Sequence, residues 1–250
     1  MLSTFVIVHG AWGGAWEWSG VARLLREHGH EVFMPTLTAL GERAHLGWGE
    51  PVGLATHVQD IIGLVESENL HDVVMCGASY GGMAVTGAAD QLTSRVRLVI
   101  YVDALVPRDG QCALDLLPDR FGDIVRSGLE KYGPRWRVPM PRELLEALIP
   151  MGAIPDDIRG NYVDRIRDHP AASFVEPVQL AGAVERVRRA FVRCTTGEFT
   201  DELGGDPIEA CAARARTDGW PYRELAAPHD PQVFHPAGIA ALLEDLARAP

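Results

Sequence analysis

Asp72-Val73-Val74-Met75-Cys76-Gly77-Ala78-Ser79-Tyr80-Gly81-Gly82 is the segment from which the fold is read. Asp72 to Cys76 is an apolar, β-branched run and predicts a strand. Met83 to Leu92 is rich in small residues and predicts a helix. Between them the spacing is G-x-S-x-G. A strand–turn–helix context is what gives that motif meaning. The sharp turn bends the backbone at the serine, and glycines on either side make room where strand and helix nearly touch. The serine hydroxyl then stands at a helix N-terminus, which favours developing negative charge. Ser79 is therefore the candidate nucleophile. A Gly/Ser-rich turn without chemistry is the competing reading, and the strand and helix on either side weigh against it.

The alternation extends outward from this turn. Phe5 to Val8 predicts a buried strand ending in a Gly-rich loop at His9-Gly10. Trp16 to His28 carries helical spacing and stops at Gly29. Glu31 to Met34 is a strand closed by Pro35, Val58 to Val65 a helix, and Val96 to Val102 a strand. After a long interruption the rhythm resumes. Ala190 to Cys194 is a strand, Glu209 to Arg216 a helix, Tyr222 to Leu225 a strand and Ala237 to Ala247 a helix. This pattern predicts an α/β architecture, a mainly parallel sheet with helices on both faces. The interruption, from Pro107 to Glu185, is proline-rich, with helical patches at Arg142 to Leu148 and Asp157 to Arg167 and no strand pattern. It reads as a mostly helical cap (107–185) inserted after the strand ending near Val102, into a core made of 1–106 and 186–250.

Composition narrows the function classes. At 250 residues and 47% hydrophobic, the chain needs no disulfide or metal staple to hold a core. Its net charge of −11 repels phosphate backbones and argues against nucleic-acid binding. Lys131 is the single lysine; the other basic residues are arginines. No apolar stretch reaches membrane-spanning length. The N-terminal segment reads as a strand and not as a signal peptide. Cys76, Cys112, Cys194 and Cys211 have neither zinc-site nor scaffold spacing, and Cys76 and Cys194 fall in apolar runs. Reduced thiols point to a cytoplasmic protein. No metal or cofactor is expected. The expected partner is a small-molecule substrate, and the chain is expected to be a monomer or a homodimer.

A nucleophilic serine needs a base. His229, 150 residues beyond Ser79, follows the strand Tyr222 to Leu225 through a short loop and precedes the last helix. His235 stands before Pro236 and reads as a helix boundary. His9 reads as structural, beneath the Gly-rich loop. His45, His57 and His71 read as caps or surface residues. The acid that orients the base has two main candidates. Asp103 ends a buried strand in Tyr101-Val102-Asp103-Ala104-Leu105 and needs a partner there. Glu198, after the strand ending at Cys194, is second, with Asp201 and Asp206 close by. For the oxyanion, the N–H of Tyr80 and the N–H of Ala11 are the candidate donors. The loop His9-Gly10-Ala11-Trp12-Gly13-Gly14 lacks both the G-x-G-x-x-G spacing and the phosphate-loop lysine. Gly10, Trp12 and Ala78 are the candidate substrate-binding residues. Phe121, Tyr132, Trp136, Tyr162 and Phe174 suggest an apolar or aromatic substrate, although packing of cap on core is the more usual role for most of them.

Together these residues resemble the α/β-hydrolase superfamily. More narrowly, the chain resembles the small hydrolases related to plant hydroxynitrile lyases and methyl-salicylate esterases. The resemblance runs through Phe5 to Trp16, Gly29 to Val32, Pro35 to Leu46, the Ser79 turn, Tyr101 to Pro107 and His229-Asp230. It implies the α/β-hydrolase fold and a serine hydrolase that cleaves a small to medium carboxylic ester through an acyl-enzyme. Relatives often carry histidine where Ala78 stands. The lyases use threonine at the place of Gly10 and lysine at the place of Asp230, so the resemblance disfavours cyanohydrin cleavage. Ala78 and Pro228 keep one alternative open, lyase, cyclase or C–C bond chemistry on the same fold; ligand binding without catalysis is a further alternative, against which an intact Ser–His pair argues.

Overall fold

The computed structural model describes residues 2–141, 145, 156–196 and 205–249. Glu198, Asp201 and most of the helical patch expected at Arg142 to Leu148 lie outside the described residues. The chain runs β1 (Thr4–Val8), a 3-10 turn (Ala15–Trp18), α1 (Ser19–Glu27), β2 (Glu31–Phe33), a 3-10 segment (Gly41–Trp48), α2 (Leu54–Ser67), β3 (Val73–Ala78), α3 (Gly81–Gln91) and β4 (Val96–Val102). The long connection contributes α4 (Asp119–Tyr132), β5 (Arg137–Val138), α5 (Asp156–Arg165), β6 (His169–Pro170) and α6 (Ala171–Val175). Then follow β7 (Arg188–Cys194), α7 (Glu209–Thr217), β8 (Tyr222–Leu225), α8 (Pro231–Phe234) and α9 (Pro236–Arg248).

The main sheet has the order β2-β1-β3-β4-β7-β8, and every pair is parallel. Period-two alternation along the strands feeds two cores. Val6, Val8, Met75, Val99, Tyr101 and Phe191 face one side, with Met83 and Ala88 of α3 and Ala212 of α7. Phe5, Ile7, Cys76, Ile100 and Val192 face the other, with Val21 and Leu25 of α1 and Leu243 of α9. The strand order reverses between β1 and β3. The carboxyl ends at such a reversal splay apart and leave a crevice, and this one opens between the Gly10–Gly14 loop and the Ser79 turn.

Two expectations change. The first helix begins as a 3-10 turn, and α1 proper starts only at Ser19. The long connection also contains strand: Arg137 and Val138 pair antiparallel with Pro170 and His169. Two-residue strands are too short to show a hydrophobic period, so the sequence carries no signal for this ribbon.

Candidate active site

Ser79 leaves β3 with φ +50°, a left-handed conformation for a non-glycine residue. Holding it costs about 1–3 kcal/mol, which the surroundings must offset. Its carbonyl accepts from Gly82 N at 3.1 Å and from Leu105 N at 3.0 Å. The flanking glycines are required sterically. A Cβ on Gly77 would lie 2.6 Å from Val85 Cγ2, and one on Gly81 would lie 2.5 Å from the His9 carbonyl oxygen. The turn therefore closes only with glycine at both places.

His229, in the loop between β8 and α8, places Nε2 2.9 Å from Ser79 Oγ. Its Nδ1 lies 2.6 Å from Asp103 Oδ2. Asp103 ends β4 with φ +43° and is 1% exposed. Its other oxygen, Oδ1, accepts from Arg193 Nη1 at 2.6 Å and from the Cys194 N–H at 3.0 Å. With Nδ1–H donating to Asp103, the Nε2 lone pair faces the Ser79 hydroxyl, the orientation a general base requires. Burial opposes charge on His229, but the hydrogen bond and charge of Asp103, joined by the charge of Asp230, outweigh it. The net effect holds the imidazole above its ordinary pKa.

The structure thus brings Ser79, His229 and Asp103 into one hydrogen-bonded chain. Asp206 is directed elsewhere and pairs with Arg193. His235 caps α9, its Nδ1 accepting from Gly238 N at 3.1 Å. His9 lies beneath the Gly-rich loop, donating from Nδ1 to the Gly10 carbonyl and accepting the Leu37 N–H at Nε2. His45 and His71 are at the surface. His57 is not: it is fully buried. It bonds the Tyr80 hydroxyl at 2.9 Å and the Thr38 carbonyl at 3.0 Å. Its place on the apolar stripe of α2, beside Leu54, Val58 and Ile61, was the available signal. Burial lowers the pKa of both His9 and His57 to about 4. His169 is also fully buried and held well below the ordinary value by burial.

Gly10, Ala11, Trp12, Ser79, Tyr80 and His229 all line one cavity of about 130 Å³. Among the described residues, neither the Ala11 N–H nor the Tyr80 N–H has a backbone hydrogen-bond partner. A Cβ on Gly10 would meet Ser79 Cβ at 3.1 Å, so glycine keeps the approach to the hydroxyl open. Ala78 does not line the cavity. As the last residue of β3 its methyl points into the core on the α1/α9 side of the sheet, so it does not shape a pocket beside the nucleophile. Phe121, Tyr162 and Phe174 line the cavity, with Leu105 and Ile208. Tyr132 and Trp136 do not; they stack on each other at 5.9 Å.

Asp230 is in the wall beside His229 and accepts from the Tyr162 hydroxyl at 2.8 Å and from Gln232 Nε2 at 3.0 Å. Behind it lies Glu17, buried and pushed well above the ordinary carboxyl range, first by burial and then by the charge of Asp230. Gln232 Oε1 has no donor among the described residues. A hydrogen bond from Gln232 offsets part of the Glu17 shift. Among the described residues no cluster of His, Cys, Asp and Glu is placed to hold a metal ion, and no helix is long and apolar enough to cross a membrane.

A model of the alpha/beta hydrolase family matches residues 5–242. The chain belongs to this family. The hydrolase is 36% identical to a carbendazim hydrolyzing esterase from Nocardioides sp. (strain SG-4G), over 98% of this chain and all of that protein. It is 26% identical to putative methylesterase 13, chloroplastic, of Arabidopsis thaliana, over 98% of this chain and 56% of that one. A solved extracellular alpha/beta-hydrolase from a Paenibacillus species superposes with a TM-score of 0.82 at 19% identity, covering 99% of this chain and 100% of its own. Tomato methylketone synthase I superposes at 0.77 with 18% identity, covering 99% and 98%. At those identities the structural likeness shows the α/β-hydrolase fold alone, while the esterase homologues support ester hydrolysis at the level of the family.

Proposed function

We propose that this hydrolase is a serine carboxylesterase acting on a small to medium, apolar or aromatic ester. The observation that carries the reading is the Ser79–His229–Asp103 chain at the floor of the apolar cavity. Ser79 Oγ attacks the ester carbonyl as His229 Nε2 takes its proton. The oxyanion is received by the Ala11 and Tyr80 N–H groups. His229 then returns the proton to the departing alkoxide and releases the alcohol. Water, deprotonated by His229, cleaves the acyl-enzyme to the acid and restores Ser79. Residues 107–185 serve as the cap, closing the cavity with Phe121, Tyr162 and Phe174. The designation of the plant relatives as methylesterases supports a small alkoxy leaving group.

Intact-mass labelling with a fluorophosphonate, run beside turnover of 4-nitrophenyl and methyl aryl esters, tests this. A single adduct on Ser79, absent from Ser79→Ala, is expected together with turnover. No adduct, or one on another residue, would overturn the reading.

The pH profile is a second test. Only neutral His229 can accept the proton, and Asp103 holds its pKa above the ordinary 6.5. kcat/KM for a non-ionising ester is therefore expected to rise with pH through a value above 6.5 and to fall away on the acid side. An acid limb below 6.5 would contradict the assignment.

A further inference from the structure

Trp12, next in sequence to the candidate oxyanion donor Ala11, has φ +62°, a conformation that bulky residues rarely adopt. Nothing in its own loop explains how that conformation is held. Among the described residues, its hydrogen bonds all come from the long connection, more than a hundred residues away. The Trp12 N–H donates to His169 Nδ1 at 3.2 Å, and its indole N–H donates to the Val138 carbonyl at 2.9 Å. Its carbonyl accepts the Arg167 N–H at 2.9 Å. The ring packs against Phe121, Phe174 and His169. Val138 and His169 are themselves register partners in the β5–β6 ribbon.

The tautomer of His169 is fixed. The Ser173 hydroxyl donates to the Pro170 carbonyl at 2.9 Å, so at its 2.8 Å contact with His169 Nε2 it accepts the ring N–H. The Nδ1 lone pair is thereby left facing the Trp12 N–H. A charged imidazole, or the other neutral tautomer, would present a proton there instead.

We propose that the β5–β6 ribbon is part of the oxyanion-binding apparatus, with His169 as a positioning residue that accepts the Trp12 N–H, holds Trp12 in its strained conformation and so aims the Ala11 N–H into the cavity. On this account the cap stays docked at β5–β6 throughout turnover, because lifting the ribbon removes both the His169 acceptor and the Val138 carbonyl that hold Trp12. The proposal rests on the esterase reading above for its kinetic consequences and on geometry alone for its effect on the loop.

The test compares the full chain with His169→Phe, which keeps an aromatic ring but no acceptor, and with His169→Asn, whose Oδ1 can stand in for Nδ1. Ester kinetics are measured together with amide hydrogen exchange over residues 9–14. His169→Phe is expected to lower kcat about 10- to 100-fold, since a misaimed donor acts on the transition state. KM should stay within about threefold, the acid limb of the pH profile should not move, and exchange in the loop should accelerate. His169→Asn is expected to restore kcat to within about threefold of wild type. A folded His169→Phe with unchanged kcat and unchanged exchange would overturn the proposal. An Asn variant as impaired as the Phe variant would do the same, because packing and not the acceptor would then be responsible. If His169→Phe does not fold, Ser173→Ala takes its place by releasing the tautomer, with a fall in kcat of about 3- to 10-fold expected and no change counting against the proposal. A wild type that takes no fluorophosphonate would sink the esterase reading separately, while the exchange data would still decide the role of His169.

Discussion

Alanine at Ser79 is expected to lower kcat about a millionfold on any ester the protein turns over, and alanine at His229 by a similar factor. The two side chains act as one unit across the 2.9 Å contact between Oγ and Nε2. An alkoxide cannot form without the base, and the base has no task without the hydroxyl. The double variant Ser79→Ala/His229→Ala is therefore expected to be no slower than either single one. Residual activity would come from the oxyanion donors and the cavity alone. Removing Oγ leaves the Ser79 backbone bonds in place, so the thermal midpoint of Ser79→Ala should remain close to that of wild type. Active-site titration beside steady-state kinetics measures this cycle and controls for trace wild type. Additive losses across the two positions would mean that Ser79 and His229 do not share a step.

The second large effect is expected from Asp103→Asn, with kcat falling about 10⁴-fold. Asp103 Oδ1 is held by two donors, Arg193 and the Cys194 N–H. An asparagine would keep its carbonyl oxygen there and turn its NH2 toward His229 Nδ1. That group donates where the carboxylate accepts. The imidazole would be driven to the tautomer that carries its proton on Nε2, facing Ser79 with a hydrogen where a lone pair is needed. The charge that raises the His229 pKa would also be lost, so the acid limb of kcat/KM should move to lower pH. Asp206 would still partner Arg193, which limits the cost to folding. A kcat within tenfold of wild type would remove Asp103 from the orienting role and turn attention to Glu198 or Asp201.

The parts of the site that rest on local pattern were legible in the sequence. The Ser79 turn announces itself because two glycines are sterically compulsory within five residues, and those contacts are made by the turn itself and by the loop after β1. Asp103 was legible as a carboxylate at the end of a buried strand, where it must find a partner. The parts that depend on distant contacts were not. His169 meets Trp12 across 157 positions and is one of nine histidines, with no local feature to set it apart. Arg193 sits in a strand whose alternation says only that it shares a face with Phe191 and opposes Val192, and its bond to Asp103 follows from β4 and β7 lying side by side. α4 is hard to read in the sequence for a different reason. Pro118 and Pro134 bound it, and the density of prolines around it hid an uninterrupted helix between them. His57 is readable as an exception on the apolar face of α2, and its full burial rules out a cap or surface role.

The depth at which His9, His57 and His169 are buried sets the proton stoichiometry of unfolding. Burial depresses all three, so each lends stability in full above its unfolded pKa of 6.5 and loses it as the pH falls through its folded value, about 4 for His9 and His57. Glu17, raised instead, has the opposite linkage, its contribution being complete below 4.5 and lost as the pH rises through its folded value. Near pH 5.5 unfolding exposes three imidazoles that take up protons and one carboxyl that gives one back. His229, its folded pKa raised, is charged in both states there and adds nothing. Denaturation near pH 5.5 should therefore consume a net number of protons, and stability should fall on acidification. Calorimetry in two buffers of different ionisation enthalpy reads that number directly; release of protons, or none exchanged, would mean that the three rings are not neutral in the folded chain.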